Sequence, residues 1–333
     1  MSRPPRWRIA GQGLAGTCLA WQLIRRGENP EILTDGRDGS SRVAAGLVNP
    51  VTGKNFEPSW LIAPFLAEAA DFYRAMETLL GVRFWHPLPL LRLARDAREW
   101  SRIEGKLGRD DIRRWVAGRV DPPAGWHAAV ELAGAARLDT RVFLDASREA
   151  LAGGGHLRDG EMPAGMMNDP FTIACDGAAG LLGGRLGPHR CAMGEILTLH
   201  APHWPQSHIR IGGGGWLVPI GRESFKAGAT YEWNNLATRP TAAGRARVAE
   251  IASALAGDAA FTITGHHAGI RPILRRSQPL IGRHPAGGWI FNGLGSKGTL
   301  YAPGCARRLA ESLVGGHPIE AEFDFPTFLN AGC

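Results

Sequence analysis

Three glycines and one carboxylate near the N-terminus carry the first chemistry that can be read from this chain. Gly11, Gly13 and Gly16 have the spacing G-x-G-x-x-G, and Asp35 stands 24 residues after the first of them. In that spacing the first glycine allows a tight turn, the second lets backbone approach a pyrophosphate, and the third lets a helix pack closely on its strand. Leu14 and Ala15 lie where a helix would begin, so their free amides and the positive end of the helix dipole would stabilise an anion. Asp35 is placed to accept hydrogen bonds from ribose hydroxyls, and its charge would repel a 2′-phosphate. The group expected here is a dinucleotide, FAD or NAD. Arg37 keeps an NADP reading open.

Those roles need a strand before the glycines and a helix after them. Trp7 to Ala10 reads as the strand, about Leu14 to Arg26 as the helix, and Glu31 to Thr34 as a second strand. Leu14, Cys18, Trp21 and Leu23 recur at helical spacings that can face a sheet, and Gly27 is placed to end the helix. The segment is one complete βαβ unit.

The rest of the composition narrows the class. At 333 residues the chain can bury a two-part core or form two ordinary domains. Its cysteines, Cys18, Cys175, Cys191, Cys305 and Cys333, form neither a C-x-x-C pair nor a Cys/His cluster, which predicts a reducing compartment and no metal. The N-terminus lacks the apolar core of a signal peptide, so the expected location is the cytoplasm. No apolar run reaches the roughly 18 to 20 residues that cross a bilayer. The net charge of +7 is scattered and comes mainly from arginine. Arg113, Arg114, Arg275 and Arg276 could help hold anionic substrates or RNA, but no nucleic-acid recognition module accompanies them, and nucleic acid is not the expected partner.

The stretch SSRVAAGLVNPVTGK, from Ser40 to Lys54, resembles the flavin-proximal loop of the D-amino-acid oxidase and glycine oxidase superfamily of FAD-dependent oxidoreductases. The resemblance puts Ser41, Arg42, Ala44, Ala45, Gly46 and Leu47 beside noncovalent FAD, where a flat ring needs backbone close by. DPFTIACDGAAG resembles the strand and glycine turn beside the FAD, with Asp176 and Gly177 at the matching positions. FNGLGSKGTLYAPGC resembles the C-terminal signature, with Gly293, Gly295, Ser296, Lys297, Gly298 and Thr299 leading into a helix. Its G-S-K-G is similar to the loop in the oxidase domain of the bifunctional tRNA-wobble-uridine modification enzyme. Cys305 matches no flavin-attachment position.

The implied fold is mixed α/β and glycine-oxidase-like: a Rossmann-type FAD-binding domain with a discontinuous, β-rich substrate domain. The first would take residues 1–57, 127–190 and 265–333, the second 58–126 and 191–264. Between a helix at 141–151 and a strand at Thr172, only about twenty residues remain where relatives carry a fuller β-meander, so the cover over the FAD is expected to be abbreviated. Phe65, Ala69, Phe72 and Met76 mark the core stripe of a helix, and FWHPLPLLRLA suggests one strand entering from an edge. The tail after Pro318 is expected to close the surface.

The resemblance also implies the chemistry. Arg271, in GIRP, stands where an arginine can grip a substrate carboxylate; the alternative is pairing with an acid at the domain junction. Lys297 would stabilise negative charge on the reduced ring near its C2 carbonyl, or else be a solvated loop lysine. Lys226 matches a lysine that promotes reaction with oxygen in sarcosine oxidase, its alternative being a strand lysine turned to water. Tyr231 and Trp233 are candidates for the pocket wall, and His266 and His267 for its border without forming a metal site. The implied reaction oxidises a primary or secondary amine, foremost an amino acid, by hydride transfer to flavin N5, followed by imine hydrolysis. Oxygen or another acceptor takes the electrons. Three alternatives remain: oxidation of a 2-hydroxy acid, oxidation of a carboxymethylaminomethyl-uridine in tRNA, and a flavin-bearing accessory subunit.

Overall fold

The computed structural model describes residues 7–160, 165–184, 186–257, 260–274 and 277–330; Arg275, Arg276 and Cys333 lie outside them. In chain order, the strands of its two large sheets are β1 (Trp7–Ala10), β2 (Pro30–Thr34), β3 (Leu90–Ala94), β4 (Val116–Val120), β5 (Ala128–Leu132), β6 (Leu157–Asp159) and β7 (Thr172–Ala174). They continue with β8 (Ala192–His200), β9 (Ile209–Gly212), β10 (Gly215–Gly221), β11 (Ser224–Gly228), β12 (Thr262–Arg271), β13 (Leu280–Arg283) and β14 (Trp289–Asn292). The helices that matter for the site are α1 (Leu14–Ile24), α2 (Ser40–Val43), α3 (Ile62–Leu80), α4 (Ala97–Glu104), α5 (Thr140–Gly153), α6 (Ala242–Ala256) and α7 (Gly298–Gly315).

The first sheet has the order β6-β2-β1-β7-β14-β13 and is parallel except for its last pair. From β1 the chain moves to β2 on one side, and β7 later pairs on the other, so the strand order reverses at β1. Crevices at such switch points, beyond the carboxyl ends of the strands, hold ligands in open α/β sheets. Helix α1 is buried from Leu14 through Leu23, Thr17 and Gln22 included, because it lies between this sheet and α7. A Cβ at Gly16 would run into the Gly11 carbonyl, so the spacing is needed for helix and turn to close on each other. The stripe of α3 is buried as its period predicts, with Phe65 and Ala69 fully covered. Each such buried Phe contributes roughly 1.5–3 kcal/mol.

The second sheet, β12-β8-β11-β10-β9-β3-β5-β4, is antiparallel except where β3 meets β9. Side chains alternate across it. Leu197, Leu217, Phe225 and Ala227 pack under α6, with Val248, Ile251 and Leu255. The opposite face carries Ile196, Gly228, Trp216, Ile211 and Arg92 in one lateral row and looks toward the first sheet.

Three expectations change. The run FWHPLPLLRLA is two strands in two sheets: Trp85–Pro87 pairs with Ala136–Leu138 beside Leu47–Val48, while Leu90–Ala94 is β3. Pro89 lies in the break between them and has no N–H for either ladder. Strand β5, placed by the sequence in the first domain, pairs with β3 and β4, so the sheet boundary lies after Leu132 rather than at 127. The tail does more than cover the surface: Phe323 and Phe325 are buried, and the Phe323 carbonyl accepts a 2.9 Å hydrogen bond from Ile281 N. Between Gly153 and Thr172 the described residues hold only β6 and a single turn over Met166–Asn168.

Candidate active site

A cavity of about 1190 Å³ lies between the two sheets. Small-molecule pockets usually measure about 300–1,000 Å³, so this one has room for a large cofactor and a substrate. Two helices begin at it, α1 at residues 14–15 and α7 at residues 298–300. Neither has an acidic residue in its first turn or a capping bond from its N-cap residue. Their dipole ends and first turns therefore face the cavity as anion-attracting ends, the Leu14 amide being already held by Ser41.

At one end, residues 11–15 form the turn and helix start, and Ser41 Oγ accepts a hydrogen bond from Leu14 N at 3.2 Å. Asp35 lies at the end of β2 and accepts from Arg37 N at 2.9 Å and Arg37 Nε at 2.7 Å. The Arg37 bond is the main reason that its carboxyl sits below the ordinary aspartate range. Arg42, which also lines the cavity, pairs with Asp145 and Asp38 there and so fixes α2.

The middle of the cavity is lined by residues 44–47, 176–177 and 295–299. Gly46 has φ +65, and a Cβ there would collide with the Leu138 carbonyl, so only glycine fits this bend. Helix α2 and this loop lie on the second sheet: Gly269 passes under Ser40 and Val43, and Lys226 Nζ donates to the carbonyls of Val43 at 3.1 Å and Ala44 at 2.8 Å. Lys226 is thus neither in water nor on the cavity wall, and burial lowers its pKa to about 8. Lys297, at the start of α7, does line the cavity, and its ammonium donates to Thr52 Oγ1 and Ser59 Oγ, both at 3.1 Å. Burial lowers its pKa as well.

Arg271 ends β12 on the cavity side of the second sheet. Its guanidinium lies over Gly194, where any Cβ would strike it, and 4.0 Å from the Tyr231 ring centroid. It donates only to two carbonyls, Met193 O and Thr230 O, each at 3.3 Å. Among the described residues no carboxylate pairs with it, so the junction alternative has no acid to supply it. Burial pulls its pKa down, partly offset by Tyr231. Trp216 leans over Gly228 beside it, and Tyr231 and Trp233 are tilted together at 5.9 Å, about half exposed.

Other sequence candidates have different places. Gly16 and Gly293 do not line the cavity: the first packs α1 on its turn and the second fits against Leu274. His266 Nε2 meets the buried Glu195 carboxylate at 2.7 Å, and Thr241 N and Oγ1 hold the same carboxylate at 2.9 and 2.8 Å. That cluster anchors the start of α6, and neither His266 nor His267 reaches the cavity wall. Cys305 is buried in α7 away from the wall. Among the lining residues that were not foreseen are Arg92 on β3 and Glu99 on α4. The signal was present, since LLRLA puts an arginine inside an otherwise apolar strand.

The volume, the two helix starts and the side-chain-free bend at Gly46 fit the FAD that the resemblance implies. Residues 11–15 could hold its pyrophosphate, Asp35 its adenosine ribose, and 44–47 with 295–299 its ring. Among the described residues no group of three His, Cys, Asp or Glu is placed to hold a metal, and no helix is long and apolar enough to cross a membrane.

Comparison with known proteins supports the same assignment. Residues 6–312 match the family model described as DAO, FAD dependent oxidoreductase. The chain is 27% identical to the tRNA 5-methylaminomethyl-2-thiouridine biosynthesis bifunctional protein MnmC of Maricaulis maris, over 94% of this chain and 53% of that protein, so it spans about half of that relative. It is 25% identical to glycine oxidase of Pseudomonas aeruginosa, over 93% of this chain and 95% of the relative. The crystal structure of iminodiacetate oxidase from Chelativorans sp. BNC1 shares its fold, with TM-score 0.75 and 24% identity over 94% of this chain and 96% of that one.

Proposed function

From the premise that the chain belongs to the DAO family of FAD-dependent oxidoreductases, we propose that it oxidises a primary or secondary amine bearing a carboxylate, an amino acid foremost. The family makes the dinucleotide FAD, so the NAD and NADP readings of the first glycine loop fall away. The observation that carries the substrate reading is Arg271: a half-buried arginine on the cavity wall with no acid beside it among the described residues. Its planar fork suits two carboxylate oxygens at once. The glycine oxidase relative adds support from outside the site.

In this reading residues 11–15 and the start of α1 hold the pyrophosphate, Asp35 the ribose, and 44–47 with 295–299 the ring, while the substrate domain is the eight-stranded sheet. FAD, when bound, supplies a two-electron acceptor that takes hydride at its N5. Arg271 fixes the carboxylate, Tyr231 covers the guanidinium and keeps water from it, and Trp216 walls the neighbouring space. The substrate ammonium would first lose a proton to solvent, leaving a lone pair to assist oxidation at the adjacent carbon, and the imine product would hydrolyse in water. Lys297 adds positive charge at the start of α7, where negative charge on the ring would be met. Lys226 holds the loop of residues 43–44 against the sheet. Oxygen or another acceptor takes the electrons, and the expected location is the cytoplasm.

The half-exposed Tyr231 and Trp233, with Arg190 5.6 Å from the Trp233 ring, favour a second reading in which the amine is attached to a nucleoside that stacks at the mouth. Anaerobic bleaching of the flavin absorbance by amino acids, N-methyl amino acids, amines and 2-hydroxy acids tests the first reading. Bleaching by carboxylate-bearing amines supports it. Bleaching by 2-hydroxy acids alone overturns it, and bleaching only by a modified tRNA moves the second reading forward.

A further inference from the structure

Arg92 is buried to 7% exposure on β3, yet it lines the cavity. Its Nη2 donates to Glu99 Oε1 at 3.1 Å, and its Nε is buried with no acceptor. Glu99 is itself fixed: its Oε2 accepts from Arg95 N at 3.0 Å, and its own amide donates to Asp96 at 2.7 Å in the cap of α4. The cap thus holds Glu99, and Glu99 holds Arg92 by one nitrogen, leaving the buried Nε without an acceptor. A guanidinium offers five donors in a fixed fork, and a buried donor left unpaired is costly unless a ligand completes it. Arg102 lies close enough for its charge to be felt by Arg92.

Arg92 also stands in register with the substrate floor. It is level with Ile211, Trp216, Gly228 and Ile196 on successive strands, a row that ends on β8 two residues from Gly194, over which Arg271 lies. Four steps of about 4.8 Å separate that strand, β8, from β3, roughly 19 Å along the sheet before the two long side chains reach inward. One small amino acid cannot engage both arginines. A longer molecule can.

We propose that Arg92 recognises a second carboxylate on the substrate: the enzyme takes amines that carry one carboxylate beside the oxidised carbon and another acidic group at the far end of a longer body. The proposal rests on the amine-oxidation reading for its reaction, and on Arg92 alone for its specificity.

The test compares N-carboxymethyl-aminohexanoate with N-hexylglycine, which has the same length but lacks the second carboxylate, by anaerobic flavin reduction. The expected ratio of kcat/KM is about tenfold or more in favour of the diacid, carried by KM, as for a buried charge pair. Arg92→Gln should collapse that ratio and Arg92→Lys should keep part of it, because an ammonium retains charge without the fork. A ratio near one in the wild type, or one that survives in Arg92→Gln, overturns the proposal. If neither compound bleaches the flavin, the amine panel above decides the amine-oxidation reading, and binding decides the Arg92 site separately. Suberate and octanoate are then titrated into the FAD-loaded protein and followed by flavin absorbance. Tighter binding of suberate that is lost in Arg92→Gln sustains the site, and equal binding in the wild type overturns it.

Discussion

Replacing Arg271 by methionine separates the roles of this side chain more cleanly than replacing it by alanine, because the thioether still fills the space between Gly194 and the Tyr231 ring. The guanidinium gives the fold little: two bonds to carbonyls at 3.3 Å and a ring contact. Their loss, set against release of a buried cation, should change stability by about 1 kcal/mol or less. The substrate loses much more. Truncating one partner of a buried, hydrogen-bonded charge pair costs about 2–5 kcal/mol, and at about 1.4 kcal/mol per tenfold the expected fall in kcat/KM is roughly 30- to 3,000-fold. The assay is stopped-flow reduction of the bound FAD by an amino acid and by the corresponding amine without its carboxylate, in wild type and variant. Arg271→Lys should recover only part of the loss, since a point charge lacks the two-oxygen fork. The reasoning is refuted if the amino-acid rate constant falls by less than about tenfold, or if both amines lose equally.

The remaining predictions concern the loop and the cofactor. Lys226 has a folded pKa of about 8 against 10.5, so the unfolded chain holds a proton that the folded one releases between those values. Its contribution to stability is fully present above pH 10.5 and is lost as pH falls through about 8, a span worth on the order of 3 kcal/mol. Thermal denaturation from pH 7 to 10.5 should therefore show wild type gaining on Lys226→Met, and parallel curves would refute the burial argument. Gly46→Ala forces a Cβ into the Leu138 carbonyl at positive φ; it should cost about 2–3 kcal/mol and lower the FAD content of the purified protein. Gly53→Ala, with φ +74 but open space around it, should cost only about 1 kcal/mol and retain FAD. Asp35→Ala should weaken FAD binding about 10- to 100-fold in a fluorescence titration, the worth of hydrogen bonds to a charged group; an unchanged Kd would remove Asp35 from the ribose.

What could be read from the sequence was local. Gly11, Gly13 and Gly16 act on backbone within one turn of each other, and the stripe of Phe65, Ala69, Phe72 and Met76 is set by helical period alone, so both stand where the spacing put them. The features that the sequence hid depend on pairing between distant segments. Alternation says that Phe225 and Lys226 face opposite sides of β11, but which side meets α6 and which meets the loop of residues 43–44 follows only when β11 is laid against β8 and β10. A lysine expected at the water or the flavin thereby becomes a clamp on backbone carbonyls. Arg92 is the sharper case. Within LLRLA it reads as a flaw in an apolar strand, and only the parallel pairing of β3 with β9, whose partners are about 120 residues apart, brings it level with Trp216. The antiparallel pairing of β3 with β5 likewise draws β5 into the second sheet and moves the sheet boundary past Leu132. An arginine in an apolar strand costs stability unless something pairs with it. Glu99 pairs with only one of its nitrogens. The misfit in the sequence and the unpaired Nε in the fold are therefore the same fact seen at two levels, and the acidic group proposed above for the substrate is what Arg92 would meet from the cavity.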